Sequence, residues 1–147
     1  MHHNFIKMKY LLPLLLLTLL TSCSRHSNDE NCKFLVNAAV NANINLNLPQ
    51  YSQLQFTSNS IYLANQGNKG VIVTNVGGNY RAWDAADPNH EQNSCSQLTI
   101  NGANAVCGCA DANTYSLFTG GSIGKALPCG LKEYRVTVAG SSLMITN

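Results

Sequence analysis

From Asn41 onward the chain alternates, with Ile44, Leu46 and Leu48 on one side and Asn43, Asn45 and Asn47 on the other. A period of two describes a half-buried strand, and Pro49 is expected to end it because proline has no N–H to donate to a ladder. Ser60-Ile61-Tyr62-Leu63 and Gly70-Val71-Ile72-Val73-Thr74 read as two further strands. Asn75 to Asn79, with Gly77-Gly78 inside, reads as a turn into a strand at Tyr80-Arg81-Ala82-Trp83, where Tyr80 and Trp83 are expected to pack in the sheet. Leu98 to Val106 predicts a hairpin, since Asn101-Gly102 supplies the two positive φ angles of a tight type I′ turn. With those two residues as the turn, Ile100 faces Ala103, Leu98 faces Ala105 and Ser96 faces Cys107. Glu133 to Val138 and Ser142 to Thr146 form the last pair, joined through Ala139-Gly140-Ser141. Past the first two dozen residues no helical period lasts more than two turns. Many short, closely spaced strands predict an all-β sandwich or barrel built of antiparallel sheets.

The N-terminal stretch has a different character. Lys7 and Lys9 precede an apolar run from Tyr10 to Leu20, too short for a transmembrane helix, which needs roughly 20 apolar residues. The run closes with Leu20-Thr21-Ser22-Cys23, which resembles the lipobox of bacterial lipoproteins. That resemblance implies cleavage after residue 22 and acylation of Cys23, with several acyl chains giving a stable membrane anchor where one holds only weakly. The predicted organisation is a signal peptide over 1–22, a flexible polar tether over 23–33 and one β domain over 34–147. The expected location is the cell envelope, as an outer-membrane lipoprotein facing the periplasm or the surface. Asp29-Glu30 in the tether also resembles the surface-export signals of Bacteroidetes-type lipoproteins.

Losing the leader changes the charge balance. Of nine basic residues, Lys7 and Lys9 go with it, leaving as many bases as the seven acids. Without a basic stripe, nucleic acid is excluded as an expected partner. An exported chain meets oxidising conditions, so Cys32, Cys95, Cys107, Cys109 and Cys129 are read first as disulfide partners; their odd number leaves at least one over. The hairpin register brings both Cys107 and Cys109 diagonally within reach of Cys95. Cys107-Gly108-Cys109 also has the form of an exchange pair, but it follows a strand, beside Asp111 and without a nearby cation to lower a thiol pKa. Asp84, Asp87, His90 and Glu91 share one stretch and read either as a solvated acidic loop or, with Cys107, as ligands for a divalent metal. No nucleophile elbow occurs, and after the tether His90 is the single histidine, so conventional hydrolase chemistry has few candidates for a general base.

The second half of the chain resembles Rieske iron–sulfur domains. These carry Cys-x-His and, some fifteen to seventeen residues later, Cys-x-x-His, with two thiolates on one iron and two imidazoles on the other. Here the frame reads Asp87-Pro88-Asn89, then Cys107-Gly108-Cys109-Ala110, Thr114 to Gly120, Leu127-Pro128 and Leu131-Lys132-Glu133-Tyr134 before the last two strands. The resemblance covers Val71 to Asn147 and implies a Rieske-like antiparallel fold with a hairpin-containing cluster lobe. Position by position, Asp87 and Asn89 replace the first thiolate and imidazole, Cys107 survives, and Ala110 replaces the second imidazole. Sliding the first box by one residue offers His90. The family's respiratory members brace their loops with a disulfide from the middle cysteine of the second box, which implies Cys95–Cys109 here, with Cys107–Cys129 as a second pairing; such a bridge contributes roughly 3 kcal/mol.

Two functions follow. One is a membrane-anchored envelope lipoprotein, not an enzyme, whose degenerate Rieske-like domain holds no cofactor and serves as a binding or structural module. The other is an electron-transfer protein with an atypical [2Fe–2S] cluster or single metal ion on Cys107, Cys109, Asp87 and His90.

Overall fold

The computed structural model describes residues 32–147; the leader, Cys23 and the tether up to residue 31 lie outside the described residues. The domain is all-β, with ten strands in two antiparallel sheets. The strands are β1 (Asn41–Asn45), β2 (Ser60–Leu63), β3 (Val71–Asn75), β4 (Tyr80–Asp84), β5 (Leu98–Asn101), β6 (Asn104–Cys107), β7 (Thr114–Ser116), β8 (Ser122–Ile123), β9 (Glu133–Ala139) and β10 (Ser142–Thr146). The larger sheet runs β1-β10-β9-β4-β3-β2 and the smaller β5-β6-β7-β8. Every pairing is antiparallel.

Both edge strands of the larger sheet reach one core. Ile44 from β1 and Ile61 and Leu63 from β2 pack with Val71, Val73, Ala82, Tyr134, Leu143 and Ile145, so the sheet wraps around this cluster. Its outer face at β3 and β4 is covered in turn by the smaller sheet. There Ile72, Trp83 and Ala85 meet Leu98, Ala105, Tyr115 and Leu117 in a second core. This explains the unbroken burial of β3: Val71 and Val73 face one core and Ile72 the other. An apolar run in a strand covered on both faces is what the period-two geometry requires.

The first strand is shorter than its alternation suggests. It ends at Asn45, and Pro49 begins a 3₁₀ helix, Pro49–Gln55, occupying an N-terminal position where its missing N–H costs nothing. Leu46 is buried, but Leu48 stands 42% exposed instead of continuing the apolar face. The helix inserts Leu54 into the first core, and Asn75 donates to the Leu54 carbonyl at 2.8 Å. Asn75 also forms the predicted turn, its Oδ1 accepting from the N–H groups of Gly77 and Gly78.

The β5–β6 hairpin forms in a different register. Asn101 faces Asn104 and Leu98 faces Cys107, so the turn residues are Gly102 and Ala103. Gly102 has φ +60° and Ala103 a negative φ, as a type II′ turn requires of its first and second positions. The shift is by two residues, so each side chain keeps the face its alternation assigned.

Candidate functional site

Three loops meet beyond one end of the smaller sheet: 85–97, 107–113 and 124–131. Asp87-Pro88-Asn89 sits at their junction. Asp87 accepts from the Asn89 N–H at 2.9 Å, a local Asx turn that fixes the loop. Its carboxylate also accepts from Tyr115 Oη at 2.5 Å and from Asn113 Nδ2 at 2.8 Å. Asn89 then crosses to the third loop, donating to the Cys129 carbonyl at 2.7 Å and accepting from the Cys129 N–H at 3.0 Å. A second Asn89 donor reaches Tyr115 Oη at 2.8 Å. Asn113 closes the circuit, its carbonyl accepting from the Cys107 N–H at 2.8 Å. Asp87, Tyr115 and Asn113 are buried. The network therefore ties all three loops through side chains in a low-dielectric interior, where each bond is strong and each unmet group costly.

The grouping of four acidic and histidine residues in one solvated loop does not hold. Asp84 and Asp87 are both fully buried, and they point to different partners. Asp84 accepts from Tyr134 Oη at 2.5 Å, from both the N–H and Nδ2 of Asn68 at 2.8 Å, and from the Ala86 N–H at 2.9 Å. It braces the 66–70 turn against β9, and Gly67 packs so closely that a Cβ there would lie 2.7 Å from both Asp84 Oδ2 and Tyr134 Oη. Glu91 is exposed and His90 half-buried.

Two disulfides cross this region. Cys95 is bonded to Cys109 and Cys32 to Cys129, with Cα separations of 4.8 and 5.6 Å; Cys107 is free and buried. The Cys107–Cys129 pairing is thus corrected, because Cys129 is already bonded to Cys32. Cys32, placed in the tether by its polar surroundings, is covalently part of the domain. Between Cys107 and Cys109, Gly108 presses against the first loop: a Cβ there would lie 2.8 Å from the Cys95 carbonyl oxygen. Of the four residues expected to bind a metal, Asp87 turns its carboxylate to Tyr115 and Asn113 instead. Among the described residues, the groups whose ligand atoms come within 4.8 Å of one another are His90, Cys95 and Cys109, and Cys107, Cys109 and Asp111.

Burial pushes the Cys107 thiol up to about 11, with the neighbouring Asp87 carboxylate acting in the same direction and a backbone hydrogen bond involving Cys109 opposing it. Tyr115 and Tyr134 are likewise raised, first by burial and then by the carboxylates that accept their hydrogen bonds, Asp87 and Asp84. These hydroxyls therefore remain donors at neutral pH. A folded pKa above the unfolded one gives stability that is complete below the unfolded value and lost as pH rises through the folded value. For Cys107 that window opens near 9.0, the ordinary thiol value, and closes near 11, with about 2–3 kcal/mol lost across it. The tyrosines contribute only above their ordinary value of 10.0. Urea titrations at pH 8.5 to 10 should show stability falling in the natural chain and a nearly flat profile in Cys107→Ala. Equal slopes in the two would assign the loss to other groups.

The residues that the resemblance assigns to an iron–sulfur cluster do not supply its ordinary ligand set. Asp87 uses both carboxylate oxygens on other partners, Asn89 is held by Cys129 and Tyr115, and Ala110 has no donor atom. Asn113 Oδ1, buried without a partner among the described residues, is a hard oxygen acceptor unlike thiolate or imidazole. Sequence reading pointed to Asp87 and Asn89 as substituted ligands but not to Tyr115 or Asn113. Their side chains become informative only once the end of the second loop and β7 bring them to Asp87 in the first loop.

No family model matches the chain, and no curated protein matches it. Among solved structures it is similar to a chain of the complex of reduced oxygenase and oxidized ferredoxin in carbazole 1,9a-dioxygenase. That match has 18% identity over 65% of this chain and 85% of the other, with a TM-score of 0.47. The ferredoxin of carbazole 1,9a-dioxygenase from Nocardioides aromaticivorans IC177 is similar at 17% identity over 73% of this chain and 95% of its own, with a TM-score of 0.44.

Proposed function

We propose that this chain is an envelope lipoprotein, anchored through acyl chains on Cys23, whose Rieske-like β domain holds no iron–sulfur cluster and acts as a binding or structural module. The observation that carries the clusterless part is the Asp87–Asn89–Tyr115–Asn113 network. It occupies the two loops that would carry the cluster ligands and ties them to the third, and it commits the Asp87 carboxylate and the Asn89 amide to other partners. A carboxylate and an amide in place of a thiolate and an imidazole turn a metal-ligand frame into a hydrogen-bonded brace. The Cys95–Cys109 and Cys32–Cys129 bridges add covalent links to the same loops. Lipidation rests on the leader and on Leu20-Thr21-Ser22-Cys23, and it agrees with the oxidising setting that two disulfides need.

The test is to purify the chain anaerobically without added reductant, measure iron and acid-labile sulfide, and record the visible spectrum. The expected result is a colourless folded protein with neither element in stoichiometric amount. Iron and sulfide together at two per chain would overturn this reading in favour of an electron carrier with an atypical cluster.

A further inference from the structure

His90, Cys95 and Cys109 have their ligand atoms within 4.8 Å of one another, and the buried Cys107 is within the same distance of Cys109. Cys109 therefore links the imidazole and Cys95 on one side to Cys107 on the other, where the first and second loops touch. Two of the sulfurs are joined in the Cys95–Cys109 disulfide and are not available as thiolates. We propose that reductive opening of the Cys95–Cys109 disulfide converts this corner into a binding site for one zinc-class divalent cation, ligated by Cys95, Cys107, Cys109 and His90. This goes beyond the clusterless reading and uses a different set of atoms, since Asp87 and Asn89 stay in their hydrogen-bond network.

The chemistry of the donors selects the ion. Three thiolates and one imidazole form a tetrahedral set characteristic of structural zinc, with Zn–S near 2.3 Å and Zn–N near 2.0–2.1 Å. Ligands at those lengths lie about 3.5–3.8 Å from one another. The two bonded sulfurs have to move apart, and Cys107, which lies within 4.8 Å of Cys109, and His90 have to rotate toward the common centre. His90 would bind through Nε2. Its Nδ1 lies 2.9 Å from the Glu91 carbonyl oxygen, and a proton there leaves the Nε2 lone pair free, the arrangement by which backbone carbonyls orient metal-binding histidines. Asp111, near Cys107 and Cys109, is exposed and offers a harder oxygen.

The redox step balances with a dithiol as the reductant. A dithiol thiolate attacks one sulfur of the Cys95–Cys109 bond, the bond breaks, and the second thiol of the reagent closes its own disulfide. Two electrons pass to the protein, which gains the Cys95 and Cys109 thiols. The cation then displaces one proton each from Cys95, Cys107 and Cys109 into solvent, while His90 binds as the neutral ring. Metal binding also offsets the burial that holds Cys107 protonated, since coordination favours the thiolate.

The experiment uses the full chain in two forms, oxidised and dithiol-reduced, the second freed of reagent by anaerobic desalting. Each is titrated with cobalt(II) as a spectroscopic substitute and then with zinc in competition, with circular dichroism recorded throughout. The reduced chain should take up one equivalent and develop thiolate-to-cobalt charge transfer with tetrahedral d–d bands, which zinc abolishes; the oxidised chain should show neither. His90→Ala and Cys107→Ser should each weaken binding at least about tenfold. The Cys32→Ser/Cys129→Ser double variant, which removes the other cysteine pair, should keep the site. A reduced chain that retains or loses its sheet signal but binds no cobalt overturns the proposal. So does cobalt binding that is unaffected by both His90→Ala and Cys107→Ser. If reduction unfolds the chain, zinc is expected to restore the sheet signal, and failure to do so counts against the site. Iron with sulfide in the untreated chain would overturn the clusterless function and, because that cluster would draw on Cys107, Cys109 and His90, this site with it; a chain without iron or sulfide that binds no cobalt after reduction overturns this site alone.

Discussion

Asp84→Ala is expected to lower the stability of the folded domain by about 3–5 kcal/mol, read as a fall in the urea midpoint with an unchanged slope. The carboxylate is fully buried at the end of β4 and accepts from Tyr134 Oη, both nitrogens of Asn68 and the Ala86 N–H. Alanine would leave the buried Tyr134 phenol, the half-buried Asn68 side chain and two backbone donors, those of Asn68 and Ala86, without this acceptor, and each unmet buried group carries its own desolvation cost. Water has little room to compensate, since Gly67 already packs against Asp84 and Tyr134 with no space for a Cβ. Asp84→Asn keeps one acceptor oxygen but presents an NH₂ to groups that donate, so it should fall between the natural chain and alanine. A loss below about 1 kcal/mol for Asp84→Ala would show that the turn at 66–70 relaxes and rehydrates instead.

Cys32→Ser/Cys129→Ser is the second large effect, expected at about 4–5 kcal/mol in the chain-entropy account of disulfides. The bond joins residues 97 apart, so its removal restores nearly the whole domain's freedom to the unfolded chain. The Cys95–Cys109 bond spans 14 residues, and its loss should cost about 3 kcal/mol. Urea titrations of the two double variants under oxidising conditions give the comparison directly. The ordering is the diagnostic: an equal or smaller loss at Cys32/Cys129 would mean that the N-terminal segment up to Val40 contributes little to the domain. That segment is held besides by Asn68, which donates to the Val36 carbonyl at 3.1 Å and accepts from its N–H at 3.0 Å, and by Lys132 on the same carbonyl at 2.7 Å.

Much of the fold was legible because strand geometry writes itself at period two. Ile61, Ile72, Val73, Leu143 and Ile145 were assigned to strands by alternation or by apolar runs, and those strands formed close to the expected limits. The β5–β6 register was not legible for the same reason. A one-residue slip exposes the buried face, whereas a two-residue slip leaves every side chain on its side, so hydrophobic pattern cannot tell the two apart. Gly102 decided it by serving as the first turn residue instead of the second. The strands β7 and β8 are too short to carry a pattern.

At the site the division is sharper. By itself the sequence determined the all-β class, which follows from local period. The export leader before Cys23 and, through the resemblance to Rieske domains, Asp87, Asn89 and Ala110 at three of four ligand positions are expectations it raised. Only the tertiary structure decided that Asp84 and Asp87 are buried braces for Tyr134 and Tyr115, that Cys32 closes onto Cys129 and leaves Cys107 over, and that His90 stands beside Cys95 and Cys109. Each of these depends on which loops meet in space. An acidic side chain carries no mark of its burial until a phenol from a strand 28 or 50 residues away arrives to donate to it.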